Sequence, residues 1–147
     1  MSTLDDLPHA SPCAPAGAST DCPIHSICNF SFACSRDARE EHPYAAQRKS
    51  YQRKTLFWLF DTDDDNLIVV VSGAMMVFRY TEDGRPTIYS LIGRALSLGE
   101  VRVFTRQRPL FFGRALTDME ICYVHGGYLR QAVAANPELF SNFSLAI

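Results

Sequence analysis

From residue 55 to residue 125 the apolar positions fall in short runs, broken by turn residues at roughly ten-residue spacing. That is the pattern of a small antiparallel β structure. Residues 55–60 are an aromatic-rich run, closed by the acidic turn Asp61-Thr62-Asp63-Asp64-Asp65-Asn66. Residues 67–71 are continuously apolar, which predicts a short strand of the buried type. Ser72-Gly73 marks a bend and 74–80 a further strand. Glu82-Asp83-Gly84-Arg85 predicts a hairpin turn, because Asp-Gly supplies the positive φ that a tight turn needs. The chain returns along 87–91, is punctuated by Gly93 and Gly99, and forms two more strands at 109–115 and 120–125 around the turn Thr117-Asp118. Gly126-Gly127 opens a helix over 128–135, and Asn136-Pro137 starts another, since Asn caps well and Pro suits the first helical position. Short strands followed by terminal helices predict a mainly β fold, a barrel or sandwich with short flanking α-helices.

The first third of the chain reads differently. Residues 1–20 are rich in Pro, Ala and Ser without periodicity, as in a flexible arm. Residues 21–34 mix cysteines with Ile24, Ile27, Phe30 and Phe32, which predicts a loop that docks on the rest. Residues 35–46 predict a short helix, with Ser35 or Asp37 as N-cap and Pro43 as interruption. The expected division is a flexible cysteine-bearing arm over 1–34, a sensor-sized β domain over 35–135, and the start of a further helix over 136–147.

Length and charge narrow the function. At 147 residues the chain builds one domain with a real core. A net charge of −2 argues against a broad nucleic-acid surface. No run of 18 apolar residues exists, and the acidic start with Asp5 and Asp6 is unlike a secretory leader. The expectation is a cytoplasmic protein without membrane contact, whose thiols serve metals or chemistry more often than disulfides.

Thiols are the chain's most distinctive chemistry. Four of its five cysteines, Cys13, Cys22, Cys28 and Cys34, lie in the first 34 residues, and Cys122 stands alone in a late strand. Soft metals and iron–sulfur clusters take thiolate ligands, usually four. Cys22, His25, Cys28 and Cys34 could form a local zinc site, but the gaps of five residues exceed ordinary zinc-knuckle spacing and leave Cys122 unused. Read alone, Cys122 is a buried structural thiol. Read alone, His9, His25, His42 and His125 are surface or capping residues.

The stretch 67–104 resembles the cyclic-nucleotide-binding-type β-roll of the CRP/FNR regulators. Its strand ending in Ser72-Gly73, the Glu82-Asp83-Gly84-Arg85 hairpin and Gly99-Glu100 carry the match, and the likeness extends over about 50–147. It implies a β-roll of the double-stranded β-helix or jelly-roll type. Within that family the oxygen-sensing FNR branch holds a [4Fe-4S] cluster on three N-terminal cysteines and one in the strand before the closing helices. The resemblance puts Cys22, Cys28 and Cys122 in those roles. The family's first cysteine falls where Ser19 stands, so the fourth ligand would be Cys34, with Cys13 or Asp21 as alternatives. Family members continue along a dimerisation helix into a helix-turn-helix, which this sequence does not contain, so no direct DNA binding is expected. A homodimer or partner-chain contact through 137–147 is.

Other readings fare less well. Gly99-Glu100 would contact a cyclic nucleotide, but Arg106-Gln107-Arg108-Pro109-Leu110 lacks the Arg-Ser/Thr-Ala cassette of such sites. The acidic turn lacks the Gly and distal Glu of a calcium loop. Arg48-Lys49 and Arg53-Lys54 read as a solvated strand edge. No nucleophile–base set or phosphate loop appears, so an enzyme is not expected. The resulting expectation is an oxygen or redox sensor domain. The alternative is an apo interaction module that exposes Leu139, Phe140, Phe143 and Leu145.

Overall fold

The computed structural model describes residues 11–12, 22–59, 66–105 and 111–143. Among these described residues, nine strands form two antiparallel sheets. The first, in the order β1-β2-β9-β4-β7, contains β1 (Ser11–Pro12), β2 (Ala46–Tyr51), β4 (Leu67–Ser72), β7 (Ser97–Leu98) and β9 (Met119–Val124). The second, in the order β3-β8-β5-β6, contains β3 (Leu56–Leu59), β5 (Met75–Tyr80), β6 (Pro86–Ile92) and β8 (Phe111–Ala115). Three α-helices flank them: α1 (Arg36–Glu41), α2 (Glu100–Thr105) and α3 (Gly126–Ala135). The mainly β architecture that the patterning predicts, and the roll that the resemblance implies, are the ones observed.

β4 shows why. Its five apolar residues are all at most 2% exposed. Ile68 and Val70 point between the sheets, where they join Leu59, Met75, Val77 and Ile121. Leu67, Val69 and Val71 point the other way, into a second core with Ile24, Phe30, Val103 and Leu129. A strand with apolar cover on both faces has no use for alternation, which is why its sequence reads as an unbroken run.

Two glycines fix the turns. Gly73 has φ +81°, and a Cβ there would lie 2.4 Å from the Asp118 carbonyl oxygen, so the β4–β5 bend and the β8–β9 turn meet where only glycine fits. Gly84 has φ +82° in the expected hairpin.

β2 and α2 differ from the sequence expectation, as does β1, a short strand within the expected flexible arm. Ser35 does cap α1, its Oγ accepting from the Ala38 N–H at 3.1 Å, but α1 ends at Glu41 and Ala46 opens a strand. β2 lies between β1 and β9, so Arg48 is not on a solvated edge: it pairs with Glu120 at 3.3 Å. The run Ala-Gln-Arg-Lys-Ser-Tyr has little apolar alternation, and its strand state comes from pairing with β9. The second difference is α2, which begins directly after Gly99 at φ +104°. Fully buried Val103 anchors α2, and Arg130 of α3 donates to the Val103 carbonyl at 2.8 Å.

Asn136 caps the final turn as expected, accepting from the Glu138 N–H at 3.3 Å, but Pro137–Asn142 is a 3-10 helix. Phe143 is buried, not part of an exposed face, while Phe140 remains 42% exposed. No helix among the described residues is long and apolar enough to cross a membrane.

Candidate functional site

The cysteine segment is folded by its own backbone. The Cys22 carbonyl accepts from the His25 N–H at 3.0 Å, and the Ile24 carbonyl from Ile27 and Cys28 at 2.9 and 2.8 Å. This single turn brings Cys22 and Cys28 together, and the 3-10 helix Ser31–Cys34 carries the third cysteine back toward the sheet. Apolar side chains seat the segment: Ile24, Phe30 and Ala33 are all at most 2% exposed. Phe32 stacks on Tyr128 of α3 at 6.3 Å, and Phe30 meets Phe143 edge-on at 5.1 Å. Arg94 donates to the Pro23 carbonyl at 3.1 Å, tying the turn to the β6–β7 connection.

Beneath this segment lies the outer face of the first sheet. Cys122 pairs in register with Arg48 on one side and Val69 on the other, and shares the outward face with Val124. Cys22, Cys28, Cys34 and Cys122 line one small apolar recess with Ile24, His25, Phe30, Ser31 and Val124. All four are thiols, and Cys22, Cys34 and Cys122 are buried. The Phe30 N–H donates to the Cys28 sulfur at 3.4 Å. Such a donor favours the thiolate, the form that binds metals.

The recess has the composition of a soft-metal or cluster site, and it unites Cys122 with cysteines 88 or more positions away in sequence. Its dimensions are those of the ligand-free chain: it has room for about one water, and no three His, Cys, Asp or Glu side chains among the described residues converge as a metal-binding group. Thiols are the donor type that iron–sulfur clusters take, so the likeness to such a site lies in the residue types and not in their present spacing. Cys13 and Asp21 lie outside the described residues. His25 reaches the recess, whereas His125 is the N-cap of α3, accepting from the Tyr128 N–H at 3.3 Å, the capping role that its position suggests.

Tyr128 is the residue at this site that sequence reasoning missed. Burial pushes its phenol pKa up, and the negative charges of Cys34 and Glu41 add to the effect. Its place on the first turn after a capping His was the available signal, but nothing in the sequence puts that turn beside Cys34.

Glu100 opens α2 and is buried at 6% exposure. Burial pushes its carboxyl pKa up, while the hydrogen bond donated by Ser97 Oγ opposes the shift. The stretch 106–110 after it lies outside the described residues. Between the sheets, Tyr51, Phe57, Phe111 and Tyr123 crowd the interior, with the Tyr51 and Tyr123 hydroxyls 2.5 Å apart.

The model of the cyclic nucleotide-binding domain matches residues 48–136, more than half of the chain. The chain belongs to the cyclic nucleotide-binding domain family. Solved structures of this fold confirm the architecture. Catabolite activator protein of Thermus thermophilus matches at TM-score 0.59 and 18% identity, over 74% of this chain and 51% of that one. The N-terminal domain of a transcriptional regulator of Streptomyces coelicolor A3(2) matches at 0.58 and 21%, over 81% and 83%. A CooA mutant of Carboxydothermus hydrogenoformans matches at 0.58 and 17%, over 81% and 74%. The chain thus spans about half the length of several of the regulatory proteins it matches. No curated protein sequence matches it. Within this domain family, its four-thiol recess is built on the outer face of the roll, away from the interior.

Proposed function

We propose that this cyclic nucleotide-binding-type domain is a CRP/FNR-like sensor of oxygen or redox state, holding a [4Fe-4S] cluster on Cys22, Cys28, Cys34 and Cys122. The observation that carries the reading is the recess in which three cysteines of one short segment meet a fourth on β9. A bound cluster of this kind supplies an oxygen-reactive redox centre. The protein's own contribution is to hold the thiolates, exclude water with Ile24, Phe30 and Val124, and keep the cysteine segment pressed on the sheet. That segment touches the last described turn through Phe30 and Phe143, and Phe143 also packs on Phe104 of α2 at 5.0 Å. A change in how 22–34 docks therefore reaches α2 and the 137–143 turn directly, where contact with a different partner chain is proposed. The proposed role is sensing and not catalysis.

The test is anaerobic purification with iron, sulfide and absorbance measured before and after air. Near-stoichiometric iron and sulfide with colour bleached by air is the expected result, lost in Cys122→Ser and Cys34→Ser and kept in Cys13→Ser. A colourless protein that also resists anaerobic reconstitution would overturn the reading.

The family match favours cyclic nucleotide binding as the second reading, with Gly99 and Glu100 as ribose contacts. Against it stand the missing Arg-Ser/Thr-Ala cassette, the Glu100 carboxyl already engaged by Ser97, and the aromatic filling of the interior. Titration calorimetry with cyclic AMP and cyclic GMP decides: no heat is expected, and saturable binding lost in Glu100→Ala would establish the second reading.

A further inference from the structure

The outer face of the second sheet is an apolar surface with nothing of the described chain on it. Two cross-strand rows run over all four strands. Trp58, Phe112, Phe78 and Ile88 stand opposite one another in the first row, and Leu56, Arg114, Met76 and Leu91 in the second. Their neighbours Phe57, Leu59, Met75, Val77 and Ala115 fill the roll and these rows lie on its other side, where Phe78 is only 1% exposed against Tyr80, Phe112 and Arg114. An antiparallel sheet with one solvated face ordinarily carries polar residues there. Here Leu56, Trp58, Ile88 and Leu91 are 46, 56, 61 and 63% exposed, and Tyr80 beside them 45%. The rings are organised: Trp58 and Tyr80 meet Phe112 edge-on at 5.1 and 5.2 Å, and the Arg114 guanidinium lies over Phe78 at 5.8 Å.

We propose that this face is a homodimer interface, in which a second copy of this chain packs its own second sheet against it. Size and charge argue for that occupant. Five large side chains, each about half exposed, present on the order of 600 Å² at about 200–250 Å² for a whole large side chain. That is at the upper limit of a monomer's largest apolar patch, and with Phe112, Met76 and Arg114 it approaches the roughly 800 Å² per partner of a stable interface. The rows contain no carboxylate and one cation, so an acidic or basic partner finds no complementary charge, and a lipid surface finds no basic cluster. A surface of the same composition is the fitting match. Face-to-face packing of two twisted sheets about a two-fold axis is a standard solution, and the open side of each Arg114 guanidinium would meet an aromatic ring of the other copy.

This inference does not rest on the cluster reading. The sole tryptophan of the chain, Trp58, sits in the face and reports on it. The experiment is sedimentation equilibrium of the full chain from micromolar to millimolar concentration, with Trp58 emission in parallel, in air and without it. A concentration-dependent dimer with blue-shifted emission is expected, the same under both atmospheres. Ile88→Arg and Leu91→Lys, each checked for folding by circular dichroism, should raise its Kd at least tenfold, and Phe140→Glu should leave it unchanged. A monomer at every concentration, a dimer indifferent to both substitutions, one dissolved only by Phe140→Glu, or a blue shift that requires lipid vesicles would each overturn the proposal.

Discussion

The outer faces of the two sheets make the most instructive contrast in this molecule. Both are apolar. On the first sheet, Leu67, Val69, Val71, Cys122 and Val124 lie under the cysteine segment, α2, α3 and Phe143, and are at most 4% exposed. On the second, Trp58, Ile88 and Leu91 are more than half exposed. Apolar composition is therefore not what separates core from surface here. The difference is which face the flanking segments reach: the cysteine turn and the closing helices leave the roll on the side of β2, β4 and β9. The covered face consequently holds the four-thiol recess, while the other keeps large apolar side chains exposed.

Substitutions can break this contrast in order of severity. Phe30→Ala removes the ring that pins the cysteine segment to Phe143, and should cost about 3–5 kcal/mol in urea unfolding. Hydrogen exchange over 22–34 should rise beyond that of the strands. If the segment keeps its protection, the aromatic latch is not what holds it. Next, Arg48→Ala breaks the partly exposed pair with Glu120 at the border of the covered face, and about 1 kcal/mol or less is expected, shrinking further with salt. On the second sheet, Trp58→Ser should cost the dilute protomer about 1 kcal/mol, the worth of its edge-on contact with Phe112. A larger loss would mean that the face is already covered in the protomer.

The smallest expected effect appears only with changing pH. The Glu100 pKa is raised above the ordinary value of 4.5, so below that value both folded and unfolded states are protonated and nothing distinguishes them. As pH rises, the unfolded state ionises first, and wild-type stability falls until the folded carboxyl has also ionised. Glu100→Gln keeps an acceptor for Ser97 and lacks this slope, so its stability relative to wild type should grow from acid to neutral pH. Parallel stability curves for the two proteins would refute the assignment.

Several parts of this protein were legible in the sequence because they are local or periodic. The unbroken run 67–71 announced a strand covered on both faces, Asp83-Gly84 the hairpin, and Ser35 and Asn136 their caps. The residues match a known β-roll family over most of the domain, and the family model agrees.

What the sequence left open depended on contacts between distant segments. β2 has almost no apolar alternation and became a strand because β1 and β9 flank it. α2 follows from Gly99 and the burial of Val103, which only the packing of α3 reveals. Cys34 became a neighbour of both Cys122 and Tyr128 through the docking of one folded segment on one sheet face. Covalent order determined which chemistry and which turns were present. Only the closing of the roll, which decides what each sheet face meets, determined that the thiols share a recess and that Trp58, Ile88 and Leu91 stay exposed on the second sheet.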